Sequence, residues 1–322
     1  MILMERTTIR NIAKRITGAD EFKPLVALIA LYLSSAVISP YFLSVYNQKI
    51  LLLQATPLVL LALGETMVIL MGSIDLSPGS TMALAGLIAA LSSNYYGLDI
   101  RLSILIGLLI GALVGLINGL AVTVAKIPSF VATLATMVGA RGIVLLITGG
   151  ESIYGLRGYE WLTDERFFVA NMVWIMVVFV IITYVLLKYT SLGLKIYAIG
   201  GNEEATRYSG INVDRVKVVA FTLAGLYYSV AGIMMDARLQ AAYPWTGYGS
   251  ELDAIASSVL GGIQLTGGIG SPIGSFIGAY ILTLIANIMV LLGLNPYLQW
   301  VVKGFVLGAA AIALSRGLRY VK

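Results

Sequence analysis

The chain has no cysteine and no histidine among its 322 residues, and only 11% of them are charged. Without cysteine there is no disulfide and no thiol nucleophile. Without histidine there is no imidazole proton relay and the commonest metal ligand is missing. No stretch reads G-x-x-x-x-G-K-[ST], so the chain lacks a phosphate-binding loop of that type. It also lacks H-E-x-x-H, a nucleophile motif and paired acids on one helix. A membrane-embedded enzyme is therefore not expected, and neither a catalytic residue nor a metal site is assigned.

What is present is apolar. Hydrophobic residues make up 59% of the chain and its mean hydropathy is +0.92. A helix crosses a bilayer with about 20 mostly apolar residues, and such runs recur along most of the length. The expected fold class is an all-α polytopic membrane protein with about ten transmembrane helices. A transmembrane barrel would alternate apolar and polar residues instead. The first 23 residues are polar and basic, with no apolar core ahead of a cleavage site, so no cleavable signal is expected. A pI near 9.2 could point to nucleic acid, but here the basic residues are expected to set topology.

The ten expected spans are 25–43, 48–71, 76–93, 102–124, 129–148, 171–187, 218–235, 251–265, 273–292 and 297–314. The eighth is short and opens on acids. Ten crossings put both termini on one side, and the Lys and Arg counts then fall unevenly. One side holds 14: five before the first span, Lys126, five in the loop 188–217 and three after the last span. The other side holds five, namely Lys49, Arg101, Arg157, Arg166 and Arg238. The richer side is cytoplasmic by the positive-inside rule. The expected layout is a cytoplasmic tail over 1–24, a single transmembrane domain over 25–314 that includes the loop 188–217, and a cytoplasmic tail over 315–322. Arg141 and Lys303 fall inside spans and are expected to pair with acids or to snorkel.

Two stretches look like copies of one another. "GSIDLSPGSTMALAGL" begins at Gly72 and "GSELDAIASSVLGGI" at Gly249. Each is followed by a Gly-rich helix, with Gly107 and Gly111 matching Gly274 and Gly278, and Asn118 matching Asn287. In the ten-span topology the copies run in opposite directions, the mark of an inverted repeat with a pathway near its interface. The Gly107/Gly111/Gly115 and Gly274/Gly278 ladders are expected to serve close helix packing. Candidates for a translocation path are Asp75, Ser77, Ser80, Asn118, Glu251, Asp253, Ser257 and Asn287. For the acids, the alternative is a helix-start position favoured by the dipole.

One stretch breaks the greasy pattern. "GGNEEATRYSGINVDRVK" (200–217) carries six charges in eighteen residues. Asn202 reads as an N-cap, Glu203 and Glu204 suit a first helical turn, and Gly210 suits a stop. A short cytoplasmic helix is expected, serving either as a solvated connector or as a docking element for a cytosolic partner.

Five stretches resemble the permease subunits of ABC importers of the ribose/xylose/galactose branch: 72–80 "GSIDLSPGS", 115–137, 140–150, 192–217 and 249–279. Relative to that family, Ser73 stands where a glycine is usual and Pro78 where valine is usual. Pro78 suits the first turn of a helix. The resemblance implies that Asn202, Glu203, Glu204, Ala205, Thr206, Arg207 and Gly210 form the coupling helix that contacts a separate ATPase. It also implies a dimer of permeases, homo or hetero, and an extracytoplasmic sugar-binding protein in a bacterial or archaeal plasma membrane. ATP and Mg would then be bound by the partner, with no cofactor held by this chain. An ion-coupled secondary transporter of a small polar solute is the alternative. It needs an ion site or proton relay, for which the chain offers few acids, although a sodium site of carbonyls and hydroxyls would leave no sequence trace.

Overall fold

The computed structural model describes residues 21–317. Arg6, Arg10, Lys14, Arg15, Arg319 and Lys322, which enter the cytoplasmic count, lie outside the described residues. Helices begin where the sequence supplies starts and end where it supplies breakers. α1 (Phe22–Ile38) stops before Pro40, and α2 (Val45–Ile69) starts from Ser44, whose hydroxyl accepts from the Asn47 backbone N–H at 3.2 Å. α3 (Pro78–Asn94) has its proline in the first turn. α4 (Ile100–Thr123) is capped by Asp99, and α5 (Ser129–Thr148) ends at Gly149 with a left-handed φ of 63°. The loop beyond it holds strand β1 (Ile153–Tyr154), the short helix α6 (Glu160–Thr163), and the hairpin of β2 (Glu165–Arg166) with β3 (Val169–Ala170).

α7 (Asn171–Tyr189) returns, followed by α8 (Ser191–Gly201), α9 (Glu203–Tyr208) and the long α10 (Val213–Leu239). Strand β4 (Ala241–Ala242) pairs antiparallel with β1. The chain closes with α11 (Ser250–Leu260), α12 (Pro272–Leu291) and α13 (Pro296–Gly317). Six of these helices, α2, α4, α5, α7, α10 and α12, are long and apolar enough to cross a membrane. The protein is thus an all-α polytopic membrane protein, with only two-residue strands among the described residues.

Each expected span contains a helix, but several boundaries differ for physical reasons. α1 ends at Ile38, short of the expected 43, because Pro40 follows. α11 ends at Leu260, short of the expected 265, because Gly261 and Gly262 follow and Gly262, Gly267, Gly268 and Gly270 all take positive φ. α10 is longer at both ends, since Asn212 caps it at Arg215 N–H and its last turn carries Arg238. The loop 188–217 holds two helices where one is expected. α8 was hidden by its glycines, but its start is signalled by Thr190, whose hydroxyl accepts from Gly193 N–H at 3.3 Å.

α2, α10 and α12 form the centre. Their apolar windows are 78%, 61% and 61% buried, against 22–28% for α4, α5 and α7. Close approach is possible because glycine removes the Cβ. α4 crosses α10 with Gly111 on Gly225, where a Cβ on either would lie 2.3 or 2.1 Å from the other's carbonyl oxygen. Gly115 sits against the Phe221 carbonyl in the same way. Gly274 and Gly278 of α12 meet Gly261 and the Ser257 carbonyl of α11. The glycine ladders are therefore packing surfaces, as their small-residue spacing predicts. Gly111→Val should force these helices apart, an overpacking cost of about 1–3 kcal/mol, and lower the unfolding temperature in detergent. Gly139→Val, where an added Cβ meets nothing within 4 Å, should leave it unchanged; equal effects would contradict the packing assignment.

Candidate functional site

The polar segment between α7 and α10 folds as its residues dictate. The Asn202 side chain accepts from Ala205 N–H at 2.8 Å, so it caps α9 as expected. Glu203 and Glu204 occupy the first turn, and Gly210 takes a φ of 83° just beyond the last. An ion-pair network then ties α9 to its surroundings. Arg207 reaches Asp214 at 2.9 Å and Glu203 at 3.2 Å, Lys217 reaches Glu203 at 2.6 Å, and Lys126 from the α4–α5 turn reaches Asp214 at 3.3 Å. The Arg207 hydrogen bond comes first in holding the Asp214 carboxyl below its ordinary range. Partial burial alone would raise Glu203, but the Lys217 and Arg207 contacts outweigh it and hold that carboxyl low as well.

This network sorts the expected docking residues. Glu204, Ala205, Arg207 and Gly210 are exposed, and Tyr208 beside them is 83% exposed. Thr206 is different: it is buried, and its hydroxyl donates to the carbonyls of Ala198 at 2.9 Å and Asn202 at 2.8 Å. It fastens α9 to α8, so it is not part of the face presented to solvent.

Behind α9 lies a contact that sequence reading missed. Gly200, in the last turn of α8, lies directly on the end of α2 and on the α11–α12 loop. A Cβ there would fall 1.9 Å from Leu70 O and 2.3 Å from Gly268 N. Gly268 N–H donates to Leu70 O at 2.9 Å, and Tyr197 of α8 donates to Gly270 O at 2.8 Å. Gly72 and Gly267, both at positive φ, complete the junction. The only sequence signal was the density of glycine in "GG" at 200–201 and "GGIG" at 267–270.

Of the eight side chains expected along a path, six are buried inside the chain. Ser77 donates to Asp75 Oδ1 at 2.6 Å, Asn118 donates to Ser77 Oγ at 2.9 Å, and Thr136 donates to Asn118 Oδ1 at 2.6 Å. Asp75 N–H also donates to Glu65, which accepts from Tyr228 at 3.0 Å. Asn287 forms a reciprocal amide pair with Asn47, Ser257 donates to Asp253 O, and Ser80 is buried. Glu251 and Asp253, in the first turn of α11, remain partly exposed. Lys303 pairs with Asp253 at 2.8 Å, as expected of a cation within a span. Arg141 does not pair with an acid. It donates to the carbonyls of Pro244, Thr246 and Gly79, clasping the loop before α11 to the start of α3.

The membrane-length helices mark a polytopic membrane protein, and the family match gives its class, a permease component of a transport system. The chain belongs to the family described as branched-chain amino acid transport system / permease component, which it matches over residues 49–311. It is 39% identical over 300 residues to the ribose import permease protein RbsC of Escherichia coli K12, covering 91% of this chain and 92% of that one. It is 43% identical over 293 residues to RbsC of Bacillus subtilis 168, covering 90% and 91%. The L-arabinose transport system permease protein AraH of Escherichia coli K12 is 37% identical over 302 residues, covering 91% and 90%. No solved structure matches the chain.

Asn202→Ala removes a cap worth about 0.5–2 kcal/mol and should expose the bond after Arg207 to trypsin in the intact membrane protein. Asp214→Asn should do the same. Glu203 and Asp214 are held low, so their stabilisation is present above the ordinary carboxylate range and is lost as pH falls through it. An acid-stable protease should cut 202–212 faster there, and unchanged cutting would mean that the network does not hold α9.

Proposed function

We propose that this chain is the membrane-spanning permease of an ATP-driven ABC importer that takes a monosaccharide from an extracytoplasmic binding protein into the cytoplasm. The observation that carries this reading is α9: a capped, ion-paired helix whose outer face is free and whose inner face is joined through Gly200 to α2 and the α11–α12 loop. A mere connector has no need of such a backing, whereas a helix that receives force from an ATPase does. Glu204, Ala205, Arg207, Tyr208 and Gly210 form the contact face, and Thr206 and Glu203 hold it rigid. ATP and Mg are bound and hydrolysed on the partner subunit. The names of the relatives, ribose and L-arabinose permeases, support a small sugar as cargo.

The same reading includes ten crossings with both termini cytoplasmic, in a plasma membrane, and a single permease domain working as a dimer. The Lys and Arg distribution supports the orientation. An inverted repeat is supported by Gly72 and Gly249, the matched starts of the two copies, which both take positive φ, at 72° and 80°. It is supported also by the matched pair Gly107 and Gly274, which lie against Ala85 of α3 and Gly261 at the end of α11; the pair Gly111 and Gly278 differs, because Gly111 lies on Gly225 of α10.

In a reconstituted importer, Glu204→Lys should weaken capture of the ATPase subunit more than about tenfold, the equivalent of 1.4 kcal/mol, without reducing membrane insertion. Gly200→Val should lower the sugar imported per ATP hydrolysed. Gly201→Val is the matched control, since a Cβ there meets nothing within 4 Å. Wild-type capture and stoichiometry in both variants would return the segment to the status of a connector.

A further inference from the structure

A cavity of about 280 Å³ opens between α2, α10, α11, α12 and α13. Its polar wall consists of Gln54, Arg238, Asp253, Thr283 and Lys303, with small and aliphatic residues of α2 and α12 between them. Arg238 stands at the end of α10 opposite Val213. At 1.5 Å of rise per residue that is roughly 37 Å from the α9 end, so the cavity belongs to the other half of the molecule. Ionisable groups along a membrane helix are costly and tend to mark a solute path. Here five helices each contribute one polar group to a single space.

The chemistry of that wall is specific. Asp253 only accepts hydrogen bonds, Arg238 and Lys303 only donate, and Gln54 does both. The Thr283 hydroxyl gives its proton to Ala279 O and offers the cavity an acceptor. Lys303 is neutralised by Asp253 at 2.8 Å. Arg238 makes no ion pair among the described residues and keeps its donors for something else. A sugar ring presents hydroxyls that both donate and accept, and its faces are apolar enough to lie against Leu58 and Leu282. Pockets for drug-sized ligands run to about 300–1,000 Å³, so this one has the scale of a single small ring.

We propose that this cavity is a docking station for an uncharged monosaccharide, with Asp253 accepting from ring hydroxyls, Arg238 donating to them, and the Thr283 hydroxyl, whose proton is given to Ala279 O at 2.9 Å, accepting. It rests on the importer reading and names where in this chain the cargo is held. The Asp253–Lys303 pair spans α11 and α13, so a hydroxyl that competes for Asp253 would loosen the tie between these two helices.

The absence of cysteine makes the test clean. Single variants Gln54→Cys and Thr283→Cys, with Tyr96→Cys as a control outside the cavity, are assembled with the ATPase and binding protein in proteoliposomes. Labelling by an uncharged water-soluble maleimide is followed with a panel of pentoses and hexoses that includes D-ribose and L-arabinose. The transported sugar, presented on its binding protein, should slow labelling at 54 and 283 and leave 96 unchanged. Equal protection by the sugar-free binding protein would make the cavity a protein-docking surface, and protection only by D-ribose 5-phosphate would make it an anion site; either overturns the proposal. Arg238→Gln should raise the half-saturating sugar concentration about tenfold, as loss of one charged hydrogen bond predicts, with partial rescue by Arg238→Lys. An unaltered value, with no protection in the cysteine variants, overturns it too. If the unsubstituted complex imports none of the sugars, the importer reading itself falls, a result separable from failure at the cavity.

Discussion

Backbone touching backbone is the constraint on which the rest of this structure depends. Lipid tails are as apolar as leucine, so helices in a bilayer gain nothing from hiding apolar side chains from one another. They must gain from contact area and hydrogen bonds instead. Gly111 against Gly225 holds α4 to α10, Gly278 against Ser257 holds α12 to α11, and Gly232 against Met82 O holds α10 to α3. Each contact brings carbonyl groups within range of a neighbouring helix, where no larger residue fits. The same device at Gly200 reaches outside the bundle, to the helix that precedes α9.

Burial of polar groups follows from that closeness. Glu65, Asp75, Ser77, Asn118 and Tyr228 are at most 1% exposed, in a setting where an unpaired polar group costs several kcal/mol. They bond to one another across α2, α4 and α10, together with the extended stretch before α3. Such a network fixes the register of the helices more sharply than apolar contact, because a shifted helix would leave several donors unmatched at once. It also explains why polar residues at membrane depth need not face a pathway. Asn287 finds Asn47 and Asn118 finds Thr136, and those bonds satisfy the amides inside the bundle.

Much of the fold was legible because the signals were local. Apolar runs of sufficient length mark helices whatever their neighbours, and Asn202, Thr190 and Asp99 announce starts by chemistry confined to one turn. The capped α9 with its acids in the first turn was legible for the same reason. Thr206 was not, because its burial depends on Ala198 of a helix whose glycines concealed it. The roles of Ser77, Asn118 and Asn287 were equally hidden. A polar side chain in an apolar run looks the same whether its partner is a sugar, water or an amide 240 residues away, as it is for Asn287 and Asn47. Arg141 shows the limit most plainly: it was expected to find an acid or to snorkel and finds three carbonyls, since a guanidinium is satisfied by any acceptors in its plane.

The junction and the cavity share their helices. Gly200 bears on the end of α2 and on the loop joining α11 to α12, and those three helices carry Gln54, Asp253 and Thr283. Contacts between backbones do not yield as a flexible side chain would, because no rotamer can absorb the displacement. Were α9 to receive force, as the importer reading proposes, Gly200 would bear directly on Leu70 and Gly268. The glycines at 267, 268 and 270 belong to the same junction: their positive φ angles bring the α11–α12 loop to backbone distance of Leu70, Gly200 and Ile263. The distribution of glycine, dense at the seams and dense again in this one loop, thus marks where backbone meets backbone, and it joins α8 to the helices that line the cavity.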